Sequence, residues 1–328
     1  MKRRLTAILM TAVLILTMSG CSILFPDRSD MYQTGYSGSG YSGQTAYTGT
    51  TVFDPSYYPY YQMLSSGAKD AYAMIYDGIS AGETNVKLSG GVSPQDVKDA
   101  FNMVLLDHPE LFWVRTDFNY SYIEVTGAVT SAQFNFYDFA STPEGLAQAK
   151  RDFEQAAREI LSGTGSYSTA VEKELYIHDA LNRTAEFDVN AKYSQSAYSA
   201  LILHKSVCAG YARAFQYLMQ KTGIPCFYCM GIADGDAVTA TGGTDTSHSW
   251  NIVRTGHTYC NVDCMWDDSV SNAYGKNQYP FFNLADKDFK YHTRTGQSVN
   301  LPSCNDENQS YSKLFGKTVE VDDLVFKK

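Results

Sequence analysis

The run Val207-Cys208-Ala209-Gly210-Tyr211-Ala212-Arg213-Ala214-Phe215-Gln216-Tyr217-Leu218-Met219 sets Cys208, Tyr211, Ala212, Phe215 and Met219 on one face of a helix. Gly223-Ile224-Pro225 stops it, because glycine accepts a left-handed backbone and proline cannot continue the helical hydrogen bonds. Three strand-like segments follow, Cys226–Gly231, His248–Val253 and His257–Asp263. Arg254-Thr255-Gly256 suits a tight turn between the last two. An apolar helix face and an apolar sheet face must cover each other, which predicts an α+β fold with this helix laid on an antiparallel sheet.

Cys208 falls in the first turn of that helix, where N–H groups without helical partners and the helix dipole favour an anion. The same setting lowers a thiol pKa from about 8.5 to below about 7.5 and makes the nucleophilic thiolate. His248 opens one strand of the hairpin and Asp263 closes its partner, seven and eight residues from Thr255. They are therefore expected side by side on one face. Such a trio is a nucleophile, a base and a group that orients the base. His248 would take the Cys208 proton; Asp263 would fix the ring tautomer and stabilise the imidazolium. Spacing by itself also fits an inert core thiol and a half-buried strand histidine.

Three ordered motifs go further. Val207-Cys208-Ala209-Gly210-Tyr211-Ala212, then His248-Ser249-Trp250-Asn251-Ile252-Val253, then Asn261-Val262-Asp263 with Trp266-Asp267-Asp268 resemble the transglutaminase-like superfamily. The order Cys, His, Asp is that family's order, and the resemblance runs from about Lys173 to His292. His108-Pro109-Glu110-Leu111-Phe112-Trp113 is similar to the N-terminal part of bacterial lipoprotein and surface members. The resemblance implies a papain-like core with Cys208, His248 and Asp263 as catalytic residues and an N-terminal α/β extension; no cofactor or metal is expected. It also implies attack of Cys208 on a peptide or side-chain amide to give a thioester. Water as acceptor makes a cysteine peptidase or amidase; a lysine-like amine makes a protein-glutamine transglutaminase that cross-links surface proteins. Hydrolysis is favoured because no calcium-site signature of the regulated cross-linkers is visible. A surface binding module of weak catalysis is the third reading, against which the complete trio stands. Ser249, Cys260 and Cys264-Met265 depart from the family's usual Ala, aromatic and Pro-Thr. None removes a catalytic group, though Cys264 adjoins Asp263 and bears on the turn that holds it. Trp250, Trp266 and Tyr211 are candidates to line the substrate cleft, with core packing the competing role for at least one tryptophan. His108 reads as a helix-end group rather than a catalyst.

The N-terminus has the shape of an export signal: basic Met1-Lys2-Arg3-Arg4, an uncharged apolar run from Leu5 to Met18, then Ser19-Gly20-Cys21. That ending resembles a bacterial lipobox, which implies a lipid on Cys21 and an extracytoplasmic, membrane-anchored protein. The alternatives are an ordinary cleaved signal with a chance cysteine, or an uncleaved anchor. The apolar run is short for a membrane span. The expected organisation is residues 1–20 as signal peptide, 21–58 as a flexible Gly/Ser/Tyr-rich tether, and 59–165 as the N-terminal domain. Residues 166–300 are the catalytic domain and 301–328 a C-terminal extension. Ser93-Pro94 reads as a helix start, Pro143–Leu161 as a helix, and Ser162–Ser166 as the break between domains.

A formal net charge of −9 over 328 residues excludes a nucleic-acid partner, which needs a basic surface; the expected partner is a peptide or protein of the cell envelope. Beyond Cys21 and Cys208 there remain Cys226, Cys229, Cys260, Cys264 and Cys304. Cys229 with Cys260 is one conceivable inter-strand disulfide. Zinc on Cys226, Cys229, Cys260 and Cys264 is disfavoured, since residues three apart on a strand point to opposite faces. Asp234, Asp236 and Asp245 fall short of a calcium loop and read as a solvated flap before His248.

Overall fold

The structure, a computed structural model, describes residues 9–14, 51–233, 247–321 and 324. Cys21, most of the expected tether, and Asp234, Asp236 and Asp245 lie outside the described residues. The chain forms two compact units that divide at Ala147 and Gln148.

The first unit holds strand β1 (Leu9–Leu14), helices α1 (Pro59–Gln62) and α2 (Ser66–Ser80), strand β2 (Asn85–Lys87), helix α3 (Pro94–Asp107) and strands β3 (Val114–Ile123) and β4 (Val129–Phe136). The strands form an antiparallel sheet in the order β1-β3-β4-β2. Helix α3 starts on a reciprocal cap: Ser93 Oγ accepts from the Asp96 N–H, and Asp96 accepts from the Ser93 N–H. Its Phe101 ring packs on Phe118 and Phe134 of the sheet, with centroids 4.8 and 4.7 Å away. Phe53, inside the stretch read as tether, is buried among Tyr58, Tyr61, Tyr72, Tyr76 and His108. The packed structure thus begins before residue 59, because that ring belongs to an aromatic cluster. His108 is the C-cap of α3; its buried ring meets Glu110 at 2.7 Å.

Helix α4 (Pro143–Leu161) carries the division, so the boundary falls within a helix and not at the Ser162–Ser166 break. The reason lies on its later turns. Phe153 packs on the Tyr217 ring at 4.7 Å, and Glu154 accepts from Tyr217 Oη and Lys221 Nζ. The rest of the second unit is α5 (Ala170–Thr184), β5 (Glu186–Phe187), α6 (Ala197–Leu201), β6 (Lys205–Ser206), α7 (Cys208–Lys221), β7 (Cys226–Ala233), β8 (Ser247–Thr255), β9 (Thr258–Val262), α8 (Cys264–Tyr274), β10 (His292–Arg294) and α9 (Tyr311–Leu314). Its main sheet is antiparallel in the order β10-β7-β8-β9. Helix α7 is buried from Cys208 through Met219 and lies against β7 and β8. Gly223, at φ +77, ends it as the sequence requires. The segment after residue 300 folds back on the unit: Tyr311 stacks on Tyr279 at 4.0 Å, and the Cys304 N–H donates to Asp286. Among the described residues no helix is long and apolar enough to cross a membrane.

Candidate active site

Cys208 is the first residue of α7, and its N-cap, Val207, offers no side-chain acceptor to the first turn. Gly210 lets α6 and β6 press close against that turn. A Cβ there would stand 1.9 Å from Ser206 Oγ and 2.5 Å from Ser199 Oγ. The helix is fixed to the histidine-bearing strand by Asn251, whose Nδ2 donates to the Ala212 carbonyl at 2.9 Å. Arg213 lies over the Tyr228 ring of β7 at 4.5 Å.

The hairpin pairs Thr255 with Thr258 and Asn251 with Val262, around a two-residue turn with Gly256 at φ +65. The turn sits later than Arg254-Thr255-Gly256 suggests, which shifts the register. Continued, it sets Trp250 across from Asp263, with His248 one same-face step beyond. Asp263 therefore reaches His248 on a diagonal, 2.5 Å from carboxylate Oδ2 to ring Nε2. Trp250 repeats the diagonal, donating from Nε1 to Asn261 Oδ1 at 3.2 Å. A carboxylate only accepts, so His248 carries its proton on Nε2 and keeps Nδ1 for another partner. Asp263 also caps α8, its Oδ1 accepting the Trp266 N–H at 3.0 Å. Burial pushes the Asp263 carboxyl up, but the His248 and His292 rings outweigh it and hold the group well below the usual carboxylate range.

His292 is the residue that sequence reading missed. Its side chain is fully buried, with Nε2 at 3.0 Å from the same Asp263 Oδ2 and Nδ1 at 2.9 Å from the Lys290 carbonyl. Its ring stacks on Phe289 at 4.0 Å and lies among Trp250, Trp266 and Phe281. His248, Asp263 and His292 are the one group of metal-ligand type among the described residues, their ligand atoms within 4.8 Å of one another. The 2.5 Å contact suits a shared proton better than an ion, since two atoms on one zinc stand about 3 Å apart.

Trp250, Trp266 and Tyr211 are all buried: the tryptophans flank the His248 ring, and Tyr211 Oη donates to Asp268 at 3.0 Å. What the structure records for them is packing around the site. Cys226, Cys229, Cys260, Cys264 and Cys304 are buried free thiols, and they assemble no metal group among the described residues. Burial drives the Cys229 and Cys260 thiols up to about 12 and pushes Cys264 well above the ordinary thiol range, so all three stay protonated and inert. Cys264 leaves the Asp263 turn intact as the first residue of α8.

A second buried network braces α8 from behind. Asp267 accepts from the Phe281 N–H at 2.8 Å and faces His178 Nε2 at 3.1 Å. Burial opposes charge on His178, yet hydrogen bonds to Asp179 and Asp267 raise it to about 9; burial raises Asp267 to about 6. At neutral pH the two form an ion pair. Glu174 is fully buried and accepts from Asn283 Nδ2 at 2.9 Å. Asp268 also lines a cavity of about 410 Å³, together with His178, Arg183, Lys276 and Tyr279.

A family model described as the transglutaminase-like superfamily matches residues 154–264. No curated protein matches the chain. Among solved structures, a TGase is 11% identical with a TM-score of 0.31, over 44% of this chain and 42% of that one. A candidate cysteine protease from Cytophaga hutchinsonii is 16% identical with a TM-score of 0.29, over 45% of this chain and 52% of that one. The chain thus spans about half the length of these structures or less. The stretch that contains Cys208, His248 and Asp263 is a transglutaminase-like core in a fold of mixed helix and sheet.

Proposed function

We propose that the protein is a membrane-anchored, extracytoplasmic thiol enzyme that hydrolyses amide or peptide bonds through a Cys208 thioester, acting on a peptide or protein of the cell envelope. The observation that carries the reading is the buried His248–Asp263 pair, beside a helix that presents a cysteine at its N-terminus within the matched segment.

In this reading the reduced Cys208 gives its proton to His248 Nδ1, and the thiolate attacks the amide carbon. The S–C bond forms, and first-turn N–H groups of α7 favour the oxyanion. The C–N bond then breaks as His248 returns the proton to the departing amine. Water attacks the thioester, His248 takes the proton of that water, and the S–C bond breaks to release the acid and restore the thiol. Asp263 stays ionised and stabilises the imidazolium in both halves.

The test uses reduced protein and a peptide library. Cys208→Ala is expected to lower hydrolysis at least about a thousandfold. Unchanged hydrolysis in that variant overturns the nucleophile. Transfer of a labelled primary amine to protein glutamine, with little hydrolysis, would instead make the acceptor an amine and the protein a cross-linking enzyme.

A further inference from the structure

His292 lies beyond the segment that matches the family, and the local fold aims it at the acid of the site. Tyr291 adopts φ +68, a left-handed backbone uncommon for a residue with a side chain. Strand β10 then pairs His292 with Ala233 of β7, while β8 pairs His248 with Gly231. Residues 231 and 233 share a face of β7, so the two histidines flank that strand on one side. Gly231 keeps the approach close: a Cβ there would lie 2.2 Å from the Thr293 carbonyl and 2.4 Å from the Trp250 ring.

The proton pattern follows from the partners. Asp263 Oδ2 and the Lys290 carbonyl both accept, so each ring nitrogen of His292 meets an acceptor. The carboxylate is the stronger acceptor and retains the Nε2 proton. Burial and the His248 charge oppose a second proton on the ring, and Asp263 favours one. Besides Asp263 and the His248 ring, the neighbours of the ring among the described residues include Trp250, Trp266, Phe281 and Phe289. Asp263 is then held by three donors: the two rings on Oδ2 and the Trp266 N–H on Oδ1. Without His292 its Oδ2 keeps a single donor inside an aromatic shell, and a less stabilised carboxylate competes with His248 for the proton.

We propose that His292 is a positioning residue of this site: it donates from Nε2 to Asp263 and holds that carboxylate ionised and aimed at His248. The inference rests on the reading of Cys208 as the nucleophile.

The experiment follows the rate of Cys208 alkylation by iodoacetamide from pH 5 to 9 in reduced, full-length protein, which requires no substrate. Native protein is expected to react at pH 6 well above an ordinary thiol, because a thiolate–imidazolium pair persists there. His292→Phe fills the aromatic site but offers no donor, and is expected to react about tenfold or more slowly at pH 6. His292→Gln, whose amide reaches the Nε2 position, should restore most of that rate. If His292→Phe reacts like native protein, or His292→Gln is as impaired as His292→Phe, the positioning role is overturned. If native protein itself shows no fast reaction at pH 6, it is the thiolate reading that fails. Ring ¹⁵N spectra of native protein serve even if His292→Phe does not fold. A protonated Nε2 on His292 at pH 7 is expected, and a bare Nε2 overturns the proposal.

Discussion

At the scale of single residues, the second unit buries ionisable groups that do different work. Asp263 is buried and ionised because two imidazoles and a backbone N–H meet it. Glu174 is buried with Asn283 as its hydrogen-bond donor, and burial, partly offset by that bond and by His178, raises it from 4.5 to about 8. It is therefore a neutral acid at pH 7. The folded state holds this proton more tightly than the unfolded chain, so the associated stability is complete below pH 4.5. It declines as pH rises and is spent near pH 8. Glu174→Gln, which cannot ionise, should remove that decline and stabilise the protein at pH 7 by up to about 3 kcal/mol. Thermal melts at pH 5 and pH 8 check this: the variant's advantage should be larger at pH 8. An equal advantage at both values would mean that Glu174 is ionised in the fold.

At the scale of elements, β7 is the hinge of the site, since it separates the strands that carry His248 and His292. Gly231→Ala is expected to force β7 away from β10 or to displace Trp250, at a cost of about 1–3 kcal/mol. Alkylation of Cys208 at pH 6 should fall further than the melting temperature alone implies. A drop in melting temperature with an unaltered alkylation profile would count against the coupling of β10 to the site. This strand also marks where the sequence stopped being readable. Helix α7 was legible because its apolar face is continuous and Gly223 with Pro225 stops it. The hairpin was legible from its turn, and the shared face of His248 and Asp263 survived a misplaced turn centre, because a two-residue offset preserves the face. Strand β10 is three residues long, follows a left-handed tyrosine, and pairs with a strand some sixty positions earlier. No local period announces such a pairing. The one signal was His292-Thr293-Arg294, two polar residues a strand step apart after an aromatic run. Arg294 proves to be anchored too, donating to the carbonyls of Leu301 and Pro302 and to Asp286.

At the scale of the whole molecule, the proposed anchor rests on Cys21 and not on any described helix. Native protein is expected to sediment with membranes and to incorporate labelled fatty acid, and Cys21→Ser to do neither. Retention of the label in that variant would place the lipid elsewhere. Cleavage ahead of Cys21 would also remove β1, leaving β3 as an edge of the first sheet in the mature chain. The second sheet has the opposite exposure. The family match ends at residue 264, yet β10, which covers the outer side of β7, comes from residues 292–294. A fragment expressed to the limits of the recognisable family segment would retain Cys208, His248 and Asp263 and still bare a row of unpaired backbone groups on β7. Such a fragment invites aggregation and lacks the histidine behind its acid. The smallest piece that can be transplanted or crystallised with this site whole therefore ends no earlier than Arg294, some thirty residues past the point where kinship can be read.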